Sequence, residues 1–137
     1  MNLITKETEK MFRKIGSQEK VADPMVVVKF FNSCGPGKWF ATEMFYEVMQ
    51  AGRFGEEPHY LEVEASKWDG TIGGTVVDTL FFGYVSIHGD HCDEWGYFSL
   101  NELQNMRLLF GLEIERDHYF QPQPISKVCP EVLERLF

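Results

Sequence analysis

The chain has 137 residues, of which 44% are hydrophobic and 25% charged. That length fits one domain of the common ~100–150 residues, and that composition excludes a mainly disordered or fibrous chain. The 13 Lys and Arg stand against 21 Asp and Glu for a net charge of −8, which argues against a protein that tracks nucleic-acid phosphates with clustered basic side chains.

In chain order, Thr5 can cap a helix over residues 6–15, with Met11, Phe12 and Ile15 as its apolar stripe and Gly16 as its stop. Residues 17–24 form a polar loop. Met25 to Phe31 (MVVVKFF) is β-branched and aromatic, the composition of a buried strand. The turn-rich run Asn32 to Lys38 joins it to a second strand from Trp39 to Phe45, which together predict an antiparallel hairpin. Tyr46 to Ala51 reads as a short helix ending at Gly52. Residues 60–65 (YLEVEA) alternate, with Leu61, Val63 and Ala65 on one face and Glu62 and Glu64 on the other, as in a strand with one wet side.

A turn at 69–74 precedes a long strand within 75–87, where Gly83 suggests a bulge or a close backbone approach. Residues 88–93 read as a loop and 94–98 as a strand. Ser99 and Glu102 have the spacing of a capping box, so a helix begins there, carrying Leu100, Leu103, Met106 and Leu109 up to Gly111. A short strand over 112–116, an irregular run with Pro122 and Pro124, and a closing helix over 130–136 complete the order. The fold class is α+β: a curved antiparallel sheet with an N-terminal helix and a second helix after the last main strand, all in a single domain spanning 1–137.

Charge is uneven. Residues 1–53 carry eight basic and six acidic side chains, whereas residues 54–94 carry Lys67 alone against nine acids. A solvated face accounts for such a run. The functional alternative is an anionic surface that meets a basic partner or imitates a nucleic-acid backbone. Cys34, Cys92 and Cys129 are an odd count without a close pair, which suits reduced thiols in a cytosol. No run approaches the ~20 apolar residues of a membrane helix, and the N-terminus lacks the apolar core of a signal peptide.

Candidate chemistry is sparse. His88, Asp90, His91, Cys92, Asp93 and Glu94 are metal-ligand types, but no second cluster faces them, so a polar turn is expected and no metal. Glu43, Asp78, Glu94, Glu115 and Asp117 could meet at strand ends, where two carboxylates on one ion would support hydrolysis of a phosphodiester. The aromatics Trp39, Phe40, Phe81, Phe82, Tyr84, Trp95, Tyr97 and Phe98 sit in strands, so alternate ones face opposite sides. One set builds a core. The other is either covered or left as a patch for a protein or for single-stranded bases.

The blocks Val28-Lys-Phe-Phe31, Trp39-Phe-Ala-Thr-Glu43, Leu80-Phe-Phe-Gly-Tyr-Val85, Glu94-Trp-Gly-Tyr-Phe-Ser-Leu-Asn-Glu-Leu103 and Phe110-Gly-Leu-Glu-Ile-Glu-Arg-Asp117 together resemble the family known as domain of unknown function 2958. The resemblance runs from about residue 3 to 124. It implies a small bacterial protein of plasmids, integrative elements and phages, and it brings no established catalytic residues. A shared site would lie among Thr42, Glu43, Glu94, Tyr97, Glu115, Arg116 and Asp117. The acidic segment 46–78 is longer than the connection usual in that family.

The expectation is a cytoplasmic accessory protein of a mobile element that binds a macromolecule, with an anti-defence or nucleic-acid-mimic role. Its acidic surface would comprise Glu56, Glu57, Glu62, Glu64, Asp69, Asp90 and Asp93 and would meet a basic protein partner. Direct nucleic-acid binding, membrane attachment and a cofactor are not expected. The alternative is a metal-dependent hydrolase or nuclease with Glu43, Glu94, Arg116 and Asp117 as candidate catalytic residues.

Overall fold

The computed structural model describes residues 2–87 and 93–130. Helix α1 (Lys6–Ile15) starts where Thr5 accepts the Thr8 amide at 3.2 Å and stops at Gly16, whose φ of 69° is a left-handed value open to glycine. Its Phe12 is buried. The strands follow: β1 (Met25–Val26), β2 (Val28–Asn32), β3 (Lys38–Gln50), β4 (His59–Glu64), β5 (Thr75–Ser86), β6 (Glu94–Ser99), β7 (Ile114–Arg116) and β8 (Gln123–Pro124), with helix α2 (Leu100–Asn105) after β6 and α3 (Ile125–Val128) after β8. The main sheet is antiparallel in the order β6-β5-β3-β2-β7, and β4 also pairs with β3. The α+β layout expected from the sequence is the one observed.

The long strand β3 organises the sheet. Along one side it pairs with β5 over nearly its whole length. Along the other, β2 takes residues 38–41 and β4 takes residues 45–50. The register slips between Ala41 and Glu43, where Thr42 is the extra residue. That bulge explains an apparent break in alternation. Trp39 and Ala41 before it, and Met44, Tyr46 and Val48 after it, join the same core cluster, because one added residue resets the period of two. Gly83 sits opposite Ala41, where an added Cβ would collide with the Phe40 carbonyl. The close approach anticipated at that glycine is real.

Two layers form. On one face, Phe12 of α1 and Leu103 of α2 pack on Phe30, Phe81 and Phe98, with ring centroids 5.4–6.4 Å apart among the four phenylalanines. Arg13 ties α1 to β3 by donating to the Tyr46 hydroxyl at 2.8 Å, which is the main reason its pKa is raised. On the opposite face, Val26, Phe40, Tyr84, Ile125 and Cys129 make a smaller cluster. There the tail is clamped down by Asp23, which accepts from the Ser126 amide at 3.0 Å and from its hydroxyl.

Several predicted elements differ. Tyr46 to Gln50 is strand, not helix, because β4 and β5 flank it and satisfy its backbone on both sides. MVVVKFF divides at Val27. Val26 turns to the smaller cluster while Val27 and Val28 both enter the larger one, so the chain kinks and β1 leaves to pair with β8. Helix α2 ends at Asn105; Leu109–Gly111 forms a separate tight turn with Phe110 at a φ of 62°. The irregular tail contains β8 and α3. The helix predicted over 130–136 and most of the loop at 88–93 fall outside the described residues. Among the described residues no helix is long and apolar enough to cross a membrane.

Candidate binding cleft on the open face of the sheet

In antiparallel pairing, residues directly opposite one another share a face. The register therefore lays out the second face row by row. Phe40, Tyr84 and Trp95 form one row, under or beside the tail. Glu43, Phe82 and Tyr97 form the next. Glu64, Phe45 and Leu80 follow, and Glu62, Glu47 and Asp78 make the last. The tail covers only the first of these rows. Beyond it lies a cleft of about 430 Å³ whose aromatic side chains are Phe45, Phe82, Trp95 and Tyr97, with loop residues 17–24 along one rim.

The rings are close. Phe82 and Trp95 stack with centroids 5.9 Å apart and planes 19° apart, and Tyr97 lies 5.0 Å from Phe82 and 6.0 Å from Phe45. Tyr97 is 64% exposed, whereas Glu43 is 8% exposed.

Glu43 is positioned by a gap. Between β2 and β4 the edge of β3 at Thr42–Met44 has no strand partner. Gln18 fills the opening. Its amide nitrogen donates to the carbonyls of Thr42 at 2.7 Å and Met25 at 2.8 Å, its side-chain oxygen accepts the Met25 amide at 2.6 Å, and its backbone N–H donates to Glu43 Oε1 at 3.1 Å. A buried glutamine that satisfies stranded backbone groups is a fixed part of the scaffold. It therefore fixes the carboxylate it touches. At the far rim Glu64 lies 3.5 Å from Lys67, whose own side chain is 75% exposed.

Of the motif residues, Thr42, Glu43 and Tyr97 line the aromatic cleft together, but the candidate catalytic set Glu43, Glu94, Arg116 and Asp117 does not meet. Glu94 begins β6, exposed, opposite Val85. Arg116 ends β7, donating to the Asn2 carbonyl at 2.8 Å and meeting His118 Nδ1 at 3.3 Å. Asp117 follows it, 3.5 Å from Lys29 Nζ. Strands β6 and β7 are opposite edges of the order β6-β5-β3-β2-β7. At ~4.8 Å per step the two are about 19 Å apart, so Glu94 and Asp117 do not share an ion. Glu43 lines the aromatic cleft, while Arg116 and Asp117 line a different one beside α1. Among the described residues no group of three or more His, Cys, Asp or Glu is placed to hold a metal.

The acidic residues divide as well. Glu62 and Glu64 belong to the open face; Glu56 and Glu57 are exposed between β3 and β4. Asp69 is held in a turn by the Thr71 hydroxyl and amide, which lower its pKa. Asp93 accepts from the Ser86 hydroxyl at 2.9 Å, and Asp90 lies outside the described residues. Sequence reasoning missed Glu47, Phe45 and Gln18. Reading 46–51 as helix hid the alternation that puts Glu47 beside Glu62, and nothing local marks Gln18 as the filler of a gap built by distant strands.

Residues 62–129 match the family described as Protein of unknown function (DUF2958). No curated protein and no solved structure matches the chain.

Proposed function

The chain belongs to the DUF2958 family, and from that premise we propose that it works by binding, taking a basic segment of a partner protein on the open face of its sheet. The observation that carries this is the row Glu62, Glu47 and Asp78, three carboxylates at directly paired positions of adjacent strands, of which Asp78 also accepts the Thr79 amide at 2.7 Å and the Asn101 amide at 3.2 Å. Like charges so placed lower stability. A surface selected for folding alone disperses them, whereas a surface that receives a cationic partner recovers the cost on binding. The next row along the strands holds Glu64 and Phe45, which line the aromatic cleft, so charge and apolar contact occupy neighbouring rows of one face. On a mobile element this surface would occupy the basic groove of a host nucleic-acid-binding protein, acting as a mimic of a phosphate backbone.

Calorimetric titration of the pure protein with a Lys/Arg-rich peptide and with an acidic peptide of equal length tests the reading. Binding of the basic peptide alone is expected, weakening as salt shortens the ~8–10 Å screening length and weakening again in the double variant Glu47→Gln, Glu62→Gln. Equal binding of both peptides, or an affinity indifferent to salt and to the variant, overturns it.

A further inference from the structure

The aromatic cleft has a charge imbalance of its own. Three of its lining residues, Glu19, Glu43 and Glu64, are carboxylates, and none is Lys or Arg. Glu43 is 8% exposed. Its Oε1 receives the Gln18 amide, and among the described residues its other oxygen has no hydrogen bond or ion pair. That second oxygen is not sealed in the interior but belongs to the cleft lining, so its charge and acceptor capacity are open to a cation. The wall beside it is the near-parallel Phe82–Trp95 stack, with Tyr97 at the rim.

We propose that this cleft is the receptor for an arginine side chain of the partner, its guanidinium pairing with Glu43 and lying against the Phe82, Trp95 and Tyr97 rings. This rests on the basic-partner reading above and goes further by naming the anchoring residue type and its socket. Guanidinium fits better than ammonium for three physical reasons. It is planar and can lie flat on aromatic faces; it offers a fork of donors to a carboxylate; and it sheds water more readily than a lysine head. A volume of about 430 Å³ falls in the ~300–1,000 Å³ range of ligand pockets and leaves room for the stem of the side chain. The socket is also built before the ligand comes. Glu43 and Phe82 are directly opposite on paired strands, and Gln18, locked by its own hydrogen bonds, holds the carboxylate. Such preorganisation lowers the ordering cost of binding. At the rim, the exposed Lys67 competes only weakly for Glu64, as exposed ion pairs do.

Heteronuclear NMR titration of the full chain with N-acetyl-arginine amide reads this directly, with N-acetyl-lysine amide and tetramethylammonium as comparison probes. Arginine is expected to shift the Trp95 indole N–H and the Gln18 and Glu43 amides while leaving the buried Trp39 indole in place. Glu43→Gln, which keeps an acceptor for the Gln18 amide, should weaken arginine binding about tenfold, the loss expected for one charge-assisted contact. Tyr97→Ala, at an exposed position, should weaken it several-fold while the protein stays folded. Arginine that moves no cleft resonance, arginine that binds Glu43→Gln as tightly as the parent, or lysine or tetramethylammonium binding as well as arginine overturns the proposal. If the basic peptide binds while Trp95 stays still and Glu43→Gln has no effect, the socket is wrong and the acidic-face reading survives. If neither peptide nor arginine binds, both fall.

Discussion

The two faces of one sheet have been treated in opposite ways by the rest of the chain. Strand residues of period two send aromatic rings to both sides. On the first side Phe30, Phe81 and Phe98 are closed over by α1 and α2 and are almost wholly buried. On the second, the tail covers Phe40 and Tyr84 and stops, leaving Phe82, Trp95 and Tyr97 in a cleft with Glu19, Glu43 and Glu64, and the row Glu62, Glu47 and Asp78 two rows further along the strands. The strands thus supply rings to both faces, and coverage by helices and tail selects which rings become core. Stability should therefore reside in the first face and recognition in the second.

The sharpest break of that contrast is Phe81→Ala. Phe81 is fully buried and its ring touches those of Phe12, Phe30 and Phe98. Denaturant unfolding should show a loss of about 3–5 kcal/mol; a loss near zero would mean that the closed face is not the core. Next in size is Gln18→Ala. Removing the glutamine side chain strands the Thr42 and Met25 groups it satisfies, and each buried unsatisfied group costs about 1–3 kcal/mol. The same measurement should therefore record a drop of at least ~2 kcal/mol, with amide exchange quickening around Thr42 first.

On the open face the expected change in stability is small and its sign can reverse. Glu62→Gln relieves repulsion from Glu47 and should raise stability by about 0.2–1 kcal/mol while weakening the basic peptide. A variant that is both less stable and unaltered in binding would erase the division between the two faces. The smallest effect concerns the turn at Asp69. Its carboxyl is held below the usual value first by the Thr71 hydroxyl and then by the Thr71 amide. A lowered folded pKa contributes stability above the unfolded value of about 3.9, and that contribution disappears as pH falls through the folded value. NMR titration should place the Asp69 midpoint below ~3.9, and Thr71→Ala should move it up.

Much of the scaffold was legible because its signals are local. The Thr5 cap and Gly16 stop of α1, the Gly/Pro turn between β2 and β3, the alternation of Leu61, Val63 and the flanking glutamates, and the Ser99 cap of α2 all act within a few residues. The failures share another cause. Tyr46–Gln50 became strand because two neighbours paired with it, and Val27 became a kink because two clusters pull Val26 and Val28 to opposite sides. The candidate residues Glu43, Glu94, Arg116 and Asp117 sit in the blocks that carry the resemblance, but strand order distributes them across the sheet.

Propensity, capping and charge are properties of short stretches, so the amino-acid order alone sets most of the extended and helical segments, the acidic character of residues 54–94 and the resemblance carried by the blocks. Which aromatic rings are sealed and which are open, the place of Glu47 between Glu62 and Asp78, and the bracing of Glu43 by Gln18 inside a cleft all come from pairing across the sheet. Those relations depend on register and strand order, and both are set by contacts between residues far apart along the chain.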